Sequence, residues 1–162
     1  MKKIKVIIAV LAMTTLAMGL FAGCSCSAGS SKTDFGWYKA TVPEGFTDAK
    51  EGDEAGRKFT KKEGSDELMI KAYSTSAYDN AAADKASSLG REGNTDKGQM
   101  QIGNYKWEAV GYTFNGSPSL KLFADAPDGK VIELDFFMMD ENNAVVKSFV
   151  ESFEYVGEKA SK

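Results

Sequence analysis

The side chains able to do chemistry in this sequence fall into few groups. Histidine is absent from all 162 residues, which removes nucleophilic catalysis through an imidazole base, His-ligated zinc and an imidazole pH switch together. Glu133 and Asp135 stand two apart, hence on one face of a strand, and could be drawn as a glycosidase pair; acids on the solvent face of an amphipathic strand are the commoner arrangement. Asp79, Asn80 and Asp84 suggest a cation cluster but lack calcium-loop spacing, so solvated helix polarity is the reading adopted. Asp125 and Asp128 belong to the composition of a turn. Asp140, Glu141, Asn142 and Asn143 suit the capping and dipole of a helix start, with a weak calcium site as the alternative. No phosphate loop, dinucleotide fingerprint, EF-hand, H-E-x-x-H or C-x-x-C string occurs. No catalytic residue or metal ligand is assigned, and neither cofactor nor enzymatic activity is expected. Trp107 alternates with Ala109, Gly111 and Thr113, so small residues around one large ring either leave a groove for a small ligand or make room for a helix. Phe137 and Met139 are expected on the strand face opposite Ile132, Leu134 and Phe136, where they are either covered by a helix or exposed as a contact patch.

Two cysteines remain, Cys24 and Cys26. Before them run Lys2, Lys3 and Lys5, an apolar stretch from Val6 to Ala22 interrupted by Thr14, Thr15 and Gly19, and then Gly23. Charged, apolar and small residues in that order make a secretory signal, and the run is short for a membrane span. The string Leu20-Phe21-Ala22-Gly23-Cys24 resembles the lipobox of bacterial lipoproteins, with Phe21 where leucine is most usual. The resemblance implies cleavage between Gly23 and Cys24, a lipid on Cys24, and a protein held by that lipid at the extracytoplasmic face of the cell membrane. Two acyl chains at one residue suffice for stable anchoring. Cys26 then reads as an exposed thiol, and no internal disulfide can form.

Removing residues 1–23 takes away three of the 20 basic residues and none of the 23 acidic ones, so the remainder carries a formal charge of −6. Nucleic acid and anionic headgroups would repel such a domain as a whole. Residues 24–34 are small and polar, a lipidated flexible tether. Residues 35–156 have the length of a single domain, and 157–162 a fraying tail.

Within that domain the spacing predicts strands over Trp37–Val42, Gly56–Lys61 and Glu67–Ser74, with Leu68, Ile70 and Ala72 facing inward. A helix follows over Ser76–Leu89, capped by Ser76, ended by a left-handed Gly90, and packed through Ala82, Ala86 and Leu89. Strands over Gln99–Ile102, Tyr105–Phe114, Ser119–Ala124 and Lys130–Met139 are separated by Gly103-Asn104, Asn115-Gly116 and Pro127-Asp128-Gly129, strong hairpin signals. A last helix, from Asn142 or Asn143 to Phe153, carries the stripe Val145, Val146, Phe149, Val150 and Phe153. The expected fold is α+β: an antiparallel meander with one helix on each face. The opening Tyr38-Lys39-Ala40-Thr41-Val42-Pro43-Glu44-Gly45-Phe46, the alanine-rich helix, the hairpins and the close Ser152-Phe153-Glu154-Tyr155 are similar to PsbP-like domains. That resemblance implies an α/β/α sandwich without catalytic groups, working as an accessory or docking module at a membrane beside a protein partner.

Overall fold

Alternation in the strands and a 3.6-residue stripe in each helix leave this chain one way to bury its apolar surface, a sheet with a helix on either face. The computed structural model of the protein describes residues 31–49, 56–75 and 80–157. The lipobox, Cys24 and Cys26 lie outside the described residues, as do Ser76 and Asp79.

Strands β1 (Thr33–Asp34), β2 (Tyr38–Ala40), β3 (Thr47–Asp48), β4 (Gly56–Glu63) and β5 (Asp66–Thr75) precede helix α1 (Ala81–Leu89). Then come β6 (Thr95–Ile102), β7 (Tyr105–Phe114), β8 (Ser117–Asp125), β9 (Val131–Phe137), helix α2 (Ala144–Ser152) and β10 (Glu154–Tyr155). The seven-stranded antiparallel sheet runs β3-β4-β5-β9-β8-β7-β6, so the second meander joins the first through its last strand, β9 on β5. A second sheet, β1-β2-β10, closes the structure. The domain therefore begins earlier than composition suggests: Thr33 and Asp34 pair with Ala40 and Lys39, which takes the end of the expected tether into the fold.

On one face of the large sheet Phe59, Ile70, Ala72, Ala109, Leu120, Leu122, Ile132, Leu134 and Phe136 meet Val146, Phe149 and Val150 of α2, together with Trp37, Tyr38 and Phe153. Rings of Phe59 and Phe136 stand 5.9 and 6.0 Å from that of Phe149. On the other face, among the described residues, the apolar side chains gathered under α1 are Val110, Phe123 and Val131. The Asn115-Gly116 hairpin forms as expected, both residues at positive φ, which gives a turn whose twist matches the flanking strands.

Helix α1 departs from expectation in three ways. Asn80 caps it, accepting from the Ala83 amide at 3.0 Å. Gly90 is right-handed at φ −66°, and the left-handed turn comes at Gly93. Its buried side is Ala81, Asp84 and Ser88, while Ala82 and Ala86 are exposed. Polar bonds set that rotation: the Asp125 carboxylate accepts from the Ala81 amide at 2.7 Å, and Lys85 Nζ lies 2.7 Å from Asp96 and 3.0 Å from Glu108. With so little apolar surface on either side of the helix, these bonds outweigh the small preference of alanine for the interior.

Candidate functional site: a charged network on the half-covered sheet face

Because α1 sits over β7 and β8, the rest of its face of the sheet is free to carry polar side chains, and four of them meet there. In-register pairing sets Asp135 of β9 beside Lys121 of β8, with Glu133 one step along the same face. Lys121 Nζ lies 2.9 Å from Glu133 Oε1 and 3.3 Å from Asp135 Oδ2, and the Tyr112 hydroxyl donates to Asp135 Oδ1. Asp135 is only 6% exposed. Burial pushes its carboxyl above the usual range, against the pull of Lys121 and Tyr112. Burial alone would lower the Lys121 ammonium, but Asp135 and Glu133 outweigh it and hold the group above the ordinary lysine range. The Tyr112 hydroxyl is raised by burial and by Asp135. Glu133 and Asp135 thus share a face as their spacing requires, but one ammonium holds both carboxylates and a phenol occupies the second oxygen of Asp135. The set is a closed ion network.

Met139 is not on this face. Met138 adopts φ +61° and ends the alternation after Phe137, its amide donating to Ser119 Oγ at 2.9 Å, so Met139 turns into the α2-side core at 1% exposure. Phe137 does lie here, half-buried, its ring 4.9 Å from Phe114 and 6.1 Å from Tyr112. Trp107 is fully buried, with its ring 5.5 Å from Tyr105 and 6.1 Å from Phe153 and its indole N–H donating to the Ile102 carbonyl at 3.1 Å. Cavities of about 340, 330 and 940 Å³ open on the surface, and Trp107 lines none of the three. Ala109 packs in the core, Gly111 and Thr113 line the 330 Å³ cavity away from the indole, and no groove forms at Trp107 itself.

The other acids have structural partners. Asp128 accepts from the Tyr155 hydroxyl at 2.5 Å, Asp140 from the Asn142 amide at 2.9 Å, and Asn143 caps α2 through the Val145 amide. Glu141 pairs with Lys97 at 2.7 Å. Among the described residues, no group of three or more His, Cys, Asp or Glu side chains is arranged to hold a metal ion, and no helix is long and apolar enough to cross a membrane.

No protein-family model and no curated protein matches the chain. Its fold is similar to that of LpqN of Mycobacterium tuberculosis, at 17% identity and a TM-score of 0.50, over 77% of this chain and 84% of that one. A Bacteroides thetaiotaomicron protein matches at 13% identity and a TM-score of 0.49; 80% of this chain is covered, which spans half of that one.

Sequence reasoning missed Lys121, Tyr112 and Asp84. Asp84, read as solvated, is 8% exposed under α1, and its Oδ2 has no hydrogen-bond partner among the described residues. Burial raises its carboxyl, as do Glu133 and Asp125. A carboxyl whose pKa is higher folded than unfolded binds the extra proton in the folded state. Stability therefore falls as pH rises from the ordinary carboxylate range, about 4, through the raised folded value. Asp84→Asn is expected to stabilise the domain by about 1 kcal/mol near pH 8, the low end for relieving an unpaired buried group, and to gain less as pH falls. Thermal melts of both proteins across pH 4–8 measure it; a gain that grows toward acid would contradict it.

Proposed function

We propose that this protein is a lipid-anchored, non-catalytic accessory protein at the extracytoplasmic face of the bacterial cell membrane, docking a protein partner there. Support for the non-catalytic part comes from the geometry of the half-covered face. Its acids, lysine and phenol satisfy one another on an open sheet surface, leaving no side chain poised as nucleophile or base, while the aromatic group of Phe137, Phe114 and Tyr112 lies beside them. Contact surfaces are enriched in aromatics at their centres. Anchoring is supported by the lipobox-like string ending at Cys24. The envelope setting is supported by the fold shared with LpqN, a protein described as involved in cell envelope biogenesis, and the resemblance to PsbP-like domains points to the same kind of role.

The deciding experiment follows a fatty-acid analogue in cells. Wild-type protein is expected to carry the label and sediment with membranes, and Cys24→Ala to lose both, accumulating as an uncut precursor or appearing in the medium. Unchanged labelling of Cys24→Ala would refute the lipid assignment, and reproducible turnover of an envelope substrate would refute the non-catalytic reading.

A further inference from the structure

The large sheet has two edges of unequal length. β3 closes one side with two residues, whereas β6 runs along the other for eight; the outer strands of the small sheet, β1 and β10, are again two residues each. An exposed edge is a row of unpaired amides and carbonyls, a template for another strand unless something blunts it. The first half of β6 is blunted. Its pairing with β7 shifts at a bulge between Asp96 and Gly98, the Gly98 amide donates to Asp96 Oδ1 at 2.7 Å, and the Gly98 carbonyl accepts from Lys85 at 3.3 Å. The second half, Gln99-Met100-Gln101-Ile102, carries no charge, proline or glycine, and among the described residues no strand pairs with its outer side.

Register decides which backbone groups are open there. Ile102 and Tyr105 close a two-residue turn, so Ile102 and Met100 turn their backbone bonds toward β7, and the amides and carbonyls of Gln99 and Gln101 point outward. Neither glutamine has another backbone bond among the described residues. Both are exposed, while Met100 and Ile102 are half-buried against the α2-side core. We infer that this edge pairs with the same edge of a second copy of the chain, antiparallel about Met100. The string Gln99-Met100-Gln101 reads the same in both directions, so a two-fold axis at Met100 sets Gln99 of each copy against Gln101 of the other. Their outward groups exchange both main-chain hydrogen bonds of such a pair, and Met100 meets its counterpart, adding apolar cover to a side chain the single copy leaves half-buried. Symmetry also favours a second copy over a strand of another protein. When one sheet continues antiparallel into another, the two-fold lies along the sheet normal, so both α2 sides face one way. The small sheet through which each chain enters packs on that side. Both chain entries then face the same surface, as two lipid anchors in one membrane require, and the joined anchors hold more firmly than either by itself.

The test is independent of the anchor. Sedimentation velocity of full-length protein in neutral detergent, over a concentration series, is expected to show monomer passing into dimer, and Cys24→Ala to do the same. In a thiol-free background of Cys24→Ala with Cys26→Ser, Met100→Cys should give a disulfide-linked dimer under mild oxidation, because directly opposed residues stand within disulfide reach. Ile102→Cys, which faces Gly98 of the second copy in this register, should not. Gln99→Lys with Gln101→Lys sets lysine against lysine in both glutamine pairs and should weaken association about tenfold, the combined size of two such repulsions. Both positions are exposed, and melting temperatures confirm that the variant is folded. A monomer throughout the series, equal trapping at the two cysteines, or unchanged association of the folded lysine variant would overturn the proposal. Trapping of Met100→Cys on a different protein in cells, with no dimer, would assign the edge to that protein and overturn it equally. None of these results bears on lipid labelling at Cys24, so the anchor and this edge fail separately.

Discussion

Replacing Trp107 with alanine is expected to remove about 3–5 kcal/mol of folding stability, the range for truncating a fully buried large aromatic. The indole is fully buried, contacts the rings of Tyr105 and Phe153, and donates its N–H to the Ile102 carbonyl. Its removal opens a cavity where β7, the β6–β7 hairpin and the end of α2 converge. It also leaves that carbonyl without its indole donor, so the loss belongs at the upper part of the range. Against a total stability of about 5–15 kcal/mol for a domain of this size, the variant should unfold at a much lower denaturant concentration with an unchanged slope. Urea unfolding followed by circular dichroism measures the difference. A loss under about 1 kcal/mol, the cost expected at an exposed site, would return Trp107 to the role of a groove-lining residue and reopen the ligand-binding alternative.

Lys121→Ala is expected to cost about 3 kcal/mol near neutral pH, the low end for breaking a buried ion pair, because it strands the buried Asp135 and the partly buried Glu133 without their cation. Lys121 retains some solvent, its side chain being 18% exposed, which keeps the estimate at that low end. The deficit has a signature in pH. With the ammonium gone, the Asp135 carboxyl loses the charge that pulls it down and titrates higher in the folded variant than in the wild type, so the variant takes up protons more readily and the gap narrows as pH falls. A second variant separates charge from packing: Lys121→Met with Asp135→Asn and Glu133→Gln removes the ions and keeps the volume, and should recover most of the loss. Melts of the three proteins at pH 5 and pH 8 test both statements. An Ala variant whose deficit is the same at the two pH values would show that Lys121 contributes only through its aliphatic stem.

The two variants probe opposite faces of one sheet, and the difference in their chemistry follows from how each face is covered. On the α2 side an amphipathic helix and a second sheet together exclude water, so side chains there act through volume. On the α1 side a short helix with an alanine, an aspartate and a serine inward covers only part of the sheet. There Lys121, Glu133, Asp135 and Tyr112 pair with one another, and Lys71 stands over the Phe137 ring.

Much of this was legible in the residues by themselves. Strand alternation in Leu68–Ala72 and Ile132–Phe136, the Asn115-Gly116 turn and the Val146–Val150 stripe are local properties, determined by the period of the backbone and by which residues tolerate positive φ. They settle the α+β class, the main strands and helices, and the inward side of β5 and of β9 as far as Phe136. The string Leu20–Cys24 is local in the same sense, a pattern needing no fold to be read. Tertiary structure decided what depends on neighbours distant in sequence. Strand order, with β9 beside β5, rests on long-range pairing that no local spacing encodes. The rotation of α1 was set by Asp125 and Glu108 rather than by its alanines. The turn of Met139 into the core came from a single positive φ at Met138, a conformation that a non-glycine residue adopts only when surrounding contacts impose it. Above all, the partners of Asp135 come from two other strands: pairing supplied Lys121 and Tyr112, took both of its oxygens, and left Lys71 over Phe137. A sequence lists charges one by one, and which of them neutralise each other is a property of the sheet.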